Sequence, residues 1–357
     1  MGNDPSNINK MLYPVAWTYG AIVNLRNKLF DWGMLTSEKF KVPVICIGNL
    51  AVGGTGKTPH TEYIIRLLQN EFRVAVLSRG YKRKSKGFIL ADPSATAEKI
   101  GDEPYQMYAK FPNIQVAVDE NRREGITRLM ADRQKAPQVI LLDDAFQHRY
   151  VKAGLNVLLT DYHRLFCDDA LLPAGRLREP ASGKDRAHIV VVTKCPKNLL
   201  PIQYTIIRKK LALKPYQKLF FSTLYYGELK PLFGKGNRKE DCCVNGRHIL
   251  LVTGIANPAP LHDELKQQGA NVQLSAFADH HAFSKKEVAD IIAKLGSMPR
   301  GSILVTTEKD ATRLIGRSDI PTRIQEKIYV MPIEIGILRE RKSTFNKAII
   351  SYVRENQ

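Results

Sequence analysis

Apolar residues in the first part of the chain gather in short runs: Val42 to Gly48, Arg73 to Ser78, Ile114 to Asp119, Gln138 to Asp143, Leu155 to Thr160 and His188 to Thr193. Within each run successive positions are apolar, which is the pattern of a strand covered on both faces. The segments between them are long enough to carry the right-handed helical crossovers that parallel strands need. The expected fold class is therefore α/β, a doubly wound and mostly parallel sheet between two helical layers. A second set begins near Arg247 with HILLVTGIANP, NVQLSAF and GSILVTTEKD, which predicts a second, smaller α/β/α domain. Lys218 to Phe233 and Lys327 to Leu338 alternate Tyr, Phe and Ile with polar residues, and read as two strands that pair as a hinge. These patterns divide the chain into a main domain at 29–217, hinge strands at 218–233 and 327–338, and a smaller domain at 234–326. A terminal helix over 339–357 returns to the main domain through the apolar face of Phe345, Ile349, Ile350 and Val353.

The amino end departs from this pattern. Met11 to Leu25 contains no charged residue and includes Leu12, Tyr13, Val15, Trp17, Tyr19, Ile22 and Val23. It is too short to cross a bilayer. Trp17 and the tyrosines suit a headgroup boundary, and Arg26 and Lys28 follow directly, so residues 1–28 are expected to form an interfacial, monotopic membrane helix. A helix packed into the core is the alternative. No signal-peptide cleavage site is present, which points to the cytosol. Lys and Arg total 54 against 35 Asp and Glu, a formal charge of +19 that implies an anionic partner: nucleic acid, an acidic membrane surface or a phosphorylated substrate. The basic runs Lys82 to Lys86 and Arg208 to Lys210 would lie near anionic lipid or form solvated loops. Five cysteines, with Cys242 and Cys243 adjacent, give neither zinc-ligand spacing nor a paired disulfide framework.

The most specific signal is VICIGNLAVGGTGKTP at Val44 to Pro59, a strand running into a glycine-rich turn and a helix. A triphosphate carries dense negative charge, so a loop that cradles it needs bare backbone N–H groups; Gly53, Gly54 and Gly56 allow that close approach within the candidate nucleotide-binding stretch Ala51, Val52, Gly53, Gly54, Thr55 and Gly56. Lys57 adds a mobile positive charge, Thr58 a hydroxyl for Mg²⁺, and the helix opened by Thr58 and Pro59 its positive dipole end. Ala51 stands where such loops usually begin with glycine. QVILLDDAFQHR places Asp143 and Asp144 at the end of a buried strand. Two adjacent acids repel at low dielectric unless a cation joins them, so both are candidate Mg²⁺ carriers. His148 reads as a packing residue. Neither Thr193-Lys194-Cys195-Pro196 nor Thr307-Glu308-Lys309-Asp310 matches the Asn-Lys-x-Asp segment of guanine-specific proteins, which favours ATP.

Several motifs occur in a family's order: IGNLAVGGTGKTP, LSRGY at Leu77 to Tyr81, GDEP at Gly101 to Pro104, LLDDAFQHR, LREP at Leu177 to Pro180, TGIANP at Thr253 to Pro258, ADHH at Ala278 to His281 and TEKDA at Thr307 to Ala311. Over almost its whole length the chain resembles the tetraacyldisaccharide 4'-kinases of lipid A biosynthesis in Gram-negative bacteria. The family usually has glycine where Ala145 stands. The resemblance implies transfer of the ATP γ-phosphoryl group to the 4'-hydroxyl of a tetraacylated, 1-phosphorylated glucosamine disaccharide, at the cytosolic face of the inner membrane. It also implies two α/β/α domains joined by a two-stranded hinge.

By the same resemblance Asp102 is the proton acceptor, oriented by His280, and Lys57 completes the catalytic set. Domain closure would bring His280 towards Asp102. Read without it, Asp102 is a helix cap and His280 and His281 are surface histidines. Arg79, Arg178 and Glu179 are secondary candidates, each equally readable as a structural ion pair. TEKDA receives no role. Two rival classes stand beside the kinase. A nucleic-acid enzyme would interleave basic and aromatic residues, and no such motif occurs. A nucleotide switch or metallochaperone-type NTPase would share the loop and paired aspartates but use no lipid acceptor.

Overall fold

The computed structural model describes residues 8–234, 243–279 and 281–357 of the 357-residue chain. Its strands are β1 (Val44–Asn49), β2 (Val74–Ser78), β3 (Ile89–Leu90), β4 (Gln115–Val118), β5 (Val139–Asp143), β6 (Leu155–Asp161), β7 (Ile189–Thr193), β8 (Lys218–Tyr226), β9 (Lys230–Pro231), β10 (His248–Thr253), β11 (Asn271–Ala276), β12 (Ile303–Thr307), β13 (Ile328–Met331) and β14 (Ile333–Ile337). Its helices are α1 (Tyr13–Asp31), α2 (Lys57–Leu68), α3 (Ala97–Ile100), α4 (Asp102–Lys110), α5 (Arg122–Ala131), α6 (Pro201–Leu211), α7 (Ala259–Gln267), α8 (Lys285–Gly296), α9 (Glu308–Leu314), α10 (Thr322–Gln325) and α11 (Lys342–Glu355). They form two compact units, one of residues up to Leu224 together with Ile335–Gln357, the other Tyr225–Glu334.

The larger unit is built on a sheet ordered β14-β8-β7-β6-β1-β5-β2-β4-β3. The pairings from β4 through β2, β5, β1, β6 and β7 to β8 are all parallel. β1 sits centrally and every one of its residues is buried, as its unbroken apolar run requires. Alternate β1 residues feed opposite cores: Val44 and Cys46 join Tyr204, Ile207 and Leu211 of α6, while Ile45 and Ile47 join α2 and Phe345, Ile349 and Val353 of α11. The Tyr352 hydroxyl of α11 donates to the Val44 carbonyl (3.1 Å) and accepts from the Val44 N–H (3.2 Å), fixing the terminal helix to the central strand.

The smaller unit has a sheet ordered β11-β10-β12-β13-β9, parallel except where β9 meets β13. The segments 218–233 and 327–338, expected as one pair of strands, each contain two. Lys218–Tyr226 and Ile333–Ile337 lie side by side in the larger sheet, whereas Lys230–Pro231 and Ile328–Met331 pair in the smaller one.

Helix α1 extends beyond the expected boundary at residue 28, to Asp31. It buries only Ala16, Gly20 and Phe30, and leaves Val15, Trp17, Ile22 and Leu25 more than half exposed, Trp17 at 77%. No helix among the described residues is long and apolar enough to cross a membrane.

Candidate active site

The glycine-rich turn leaves β1 and enters α2, which starts at Lys57, one residue earlier than the sequence suggested. Four bonds hold the turn open. Asn49 Nδ2 donates to Thr55 Oγ1 (2.8 Å), and Thr193 Oγ1 donates to the Thr55 carbonyl (2.9 Å). Val52 N–H donates to the Arg176 carbonyl (2.8 Å), while His60 Nδ1 lies 2.6 Å from the Gly56 carbonyl. A carbonyl only accepts, so Nδ1 carries the proton and Nε2 accepts from Ser222 Oγ at 2.9 Å. Burial pushes this imidazole down to about 4, so it is neutral at cellular pH and acts as a fixed strut. Ala51, half-buried, bridges to Leu177 in the LREP segment.

Gly53 (φ +107°) and Gly56 (φ +81°) adopt backbone conformations that side chains strain to reach. Gly54 does not, and a Cβ placed there meets no atom of the described residues within 4 Å. The fold itself therefore does not require glycine at this position. Gly54→Ala is expected to keep the wild-type melting temperature and weaken ATP binding about tenfold, or about 1.4 kcal/mol, by intruding on the phosphate space. Calorimetric titration with ATP checks this, and unchanged affinity would remove the loop from nucleotide contact.

The parallel register sets Ile47 of β1 beside Asp143 of β5, so the carboxylates emerge next to the turn. Asp143 is 1% exposed; Oδ1 accepts from Thr61 Oγ1 at 3.0 Å, and Oδ2 is buried with no partner among the described residues. Burial above all, then the charges of Glu103 and Asp144, push its carboxyl well above the usual carboxylate range, against the pull of Lys57. Asp144 has φ +47°, a bend that turns its carboxylate out of the strand direction. There it lies 3.6 Å from Lys57 Nζ and 3.2 Å from Arg178 Nη1. The two aspartates therefore differ: one is buried and half-satisfied, the other is ion-paired. An all-oxygen set of Asp143, Asp144 and the half-buried Thr58 hydroxyl fits a hard cation that completes its shell with water and phosphate oxygens. Among the described residues no group of three or more His, Cys, Asp and Glu side chains is arranged to hold a metal.

GDEP forms the start of α4, with Asp102 and Glu103 in its first turn and both half-buried. A Cβ on Gly101 would lie 3.1 Å from Gly80 Cα, so the GDEP and LSRGY segments meet backbone to backbone through a glycine pair. Burial first, and then the charge of Arg79, which is exposed just past β2, lowers the pKa of Arg122, and Arg79 also adds to the cationic surroundings of His148. His148 is driven down to about 4, by burial first and then by Arg122, Arg26, Arg123 and Arg79. A cluster of guanidinium groups thus surrounds His148, and Arg122 among them also feels the charges of Asp143 and Asp144. His280 lies outside the described residues. Its neighbour His281 bonds Glu287 Oε1 at 2.9 Å and stacks on Phe277.

Glu179 proves to be a buried tie. Oε1 accepts from Gln147 Nε2 (2.9 Å), and Oε2 accepts from Arg186 Nη2 (2.7 Å) and from Asn27 Nδ2 of α1 (3.4 Å). With Tyr19 Oη donating to the Arg178 carbonyl (2.7 Å), these bonds fasten α1 to the LREP and DDAFQHR segments. Sequence reasoning missed Asn49, His60, Thr61, Thr193 and Arg122. Only the first three carried a signal: Asn49 precedes the turn, and His60 and Thr61 follow Gly56 and Lys57 by four residues, one helical turn along.

The family described as Tetraacyldisaccharide-1-P 4'-kinase matches residues 8–354. A Tetraacyldisaccharide 4'-kinase of Bacteroides thetaiotaomicron is 57% identical, covering 98% of this chain and 94% of its own. One from Flavobacterium johnsoniae is 47% identical over 98% of each chain. The crystal structure of LpxK from Aquifex aeolicus in complex with ATP superimposes with a TM-score of 0.75 at 31% identity, covering 97% of this chain and 99% of that one. Matches of this extent, on a phosphate-type turn flanked by paired aspartates, place the chain in the tetraacyldisaccharide-1-P 4'-kinase family.

Proposed function

We propose that the protein transfers the γ-phosphoryl group of ATP to the 4'-hydroxyl of a tetraacylated glucosamine disaccharide 1-phosphate, a step of lipid A biosynthesis. The observation that carries this reading is the carboxylate of Asp143, buried beside the turn with one oxygen unmatched among the described residues. A relative of 31% identity was crystallised with ATP, which supports ATP as the co-substrate. The turn binds the phosphate chain, and Lys57 bears on its outer oxygens. Thr58, Asp143 and Asp144 would hold Mg²⁺, which when bound neutralises charge on the β- and γ-phosphates. The sugar oxygen forms its bond to γ-phosphorus as the bond to the β–γ bridging oxygen breaks. ADP leaves, and the hydroxyl proton passes to Asp102.

The acceptor is itself anionic, and Arg26, Arg79, Arg122 and Arg123 around His148 supply matching charge, with Arg122 also within reach of the aspartates' charges. The exposed apolar face of α1, joined to the LREP segment by Tyr19 and Asn27, suits an enzyme that takes its acceptor from the cytosolic surface of the inner membrane.

The test supplies γ-labelled ATP with the disaccharide 1-phosphate and looks for a bis-phosphorylated lipid. Asp102→Asn should lower turnover roughly a hundred- to ten-thousandfold with little change in KM for ATP. ATP consumption without a labelled lipid would instead identify a nucleotide switch.

A further inference from the structure

We propose that α6 and the turn after β14 form a second membrane-binding surface, one that takes the phosphate headgroups of an anionic bilayer independently of α1. A cleft of about 1020 Å³ lies beside α6, lined among others by Arg208, Lys209, Lys214, Lys218, Arg339 and Arg341. No carboxylate among the described residues lines it. Among the described residues none of these six cations is held in an ion pair; Lys210, next along, is paired with Asp168 at 3.0 Å. Glu340 sits between two of the arginines in sequence but does not face the cleft. Six concentrated cations repel one another, and their mutual cost falls when anions enter among them.

The apolar side of α6 decides which anions. Ile202 and Ile206, one helical turn apart, are 61% and 48% exposed, and Leu200 just before them is 58% exposed. Lys209 and Lys210 continue the same stripe into the last turn. An apolar ridge leading into a cationic cleft matches a bilayer, in which acyl chains lie beneath charged headgroups. Soluble phosphate offers nothing to the ridge. Single-stranded nucleic acid would need free aromatic faces, yet Tyr204 and Phe221 are buried and packed edge-on at 4.6 Å, with Arg339 covering Tyr204 at 4.7 Å.

The placement of α6 agrees. Gly20 of α1 packs on Leu171, and Leu171 belongs to the same core layer as Tyr204, Ile207 and Leu211 of α6. Helix α1 therefore rests, through Leu171, on the layer into which α6 packs on one face of the larger sheet. A protein lying on a bilayer by α1 can present α6 to it as well.

Flotation of the full chain with phosphatidylcholine vesicles, with and without phosphatidylglycerol, separates the contributions. The fourfold variant Arg208→Gln, Lys209→Gln, Lys214→Gln, Lys218→Gln should lose the preference for anionic vesicles, at roughly fivefold per charge removed, and keep its binding to neutral ones. Ile202→Ser with Ile206→Ser should weaken binding to anionic vesicles while leaving the melting temperature unchanged, since both side chains are exposed. Trp17→Ser with Ile22→Ser in α1 should weaken binding to both vesicle types. Phosphoryl transfer to a detergent-dispersed acceptor should be unaltered in the fourfold variant, which separates this surface from the catalytic reading. Retention of the full anionic preference by the fourfold variant overturns the proposal. So does displacement from anionic vesicles by inorganic phosphate but not by chloride at equal ionic strength, which would mark a site for a soluble anion.

Discussion

Lys57→Ala should abolish most phosphoryl transfer while leaving the protein folded. The Lys57 ammonium lies 3.6 Å from Asp144 Oδ2, too far for a hydrogen bond, and Arg178 already holds that carboxylate at 3.2 Å. Removing the lysine therefore leaves Asp144 paired, while the buried Asp143 loses an attracting charge and moves further towards its protonated form, so the stability cost should stay on the order of 1 kcal/mol. Its effect on chemistry is larger. Transfer of a phosphoryl group is catalysed almost entirely by positioning and by neutralising the oxygens, and Lys57 is the cation carried on the turn itself. Loss of a preorganised donor of this kind should lower turnover on the order of a thousandfold. Single-turnover assays with labelled ATP, paired with thermal unfolding, test both halves. Turnover within a few fold of wild type would show that Lys57 serves only to hold Asp144.

The larger sheet was legible because its strands are buried on both faces and so read as unbroken apolar runs; β1, β2, β5, β6 and β7 each begin or end within two residues of the expected positions. The turn was legible because phosphate contact forces a local pattern of glycine, lysine and threonine. What escaped was whatever depends on residues distant in sequence. Thr193 supports Thr55 from 138 positions away, and Ser222 supports His60 from 162. Glu179 is a candidate through the LREP motif, and the partners of its oxygens, Asn27, Gln147 and Arg186, come from segments that no local pattern announces. Continuous alternation along each hinge segment predicts one strand apiece, whereas the irregular residues 227–229 break the first into β8 and β9. Pairing preferences across sheets leave no mark in one segment's own pattern.

Asp143→Asn should separate what the fold wants from what the chemistry wants. Among the described residues of the larger unit two carboxylates are equally buried, Glu62 and Asp143, each 1% exposed. Glu62 is surrounded: Gln106 Nε2 donates at 2.7 Å, Lys110 Nζ at 2.6 Å and Arg66 Nη2 at 3.3 Å. Asp143 has Thr61 alone on one oxygen, an unmatched second oxygen among the described residues, and Glu103 and Asp144 as like charges nearby. Neutralising Glu62 with glutamine should break a satisfied pair and destabilise the protein by about 3–5 kcal/mol. Asparagine at 143 keeps the shape and the Thr61 bond, removes the repulsion, and ends the cost of burying an ion, so without ligand the melting temperature should hold or rise. Turnover should fall at least on the order of a hundredfold, since the carboxylate best placed to carry Mg²⁺ is gone. Saturating ATP with Mg²⁺ should then raise the melting temperature of the wild type by linkage and that of the variant much less. A variant that melts well below the wild type, as Glu62→Gln should, would instead make Asp143 a structural acid and place the metal elsewhere.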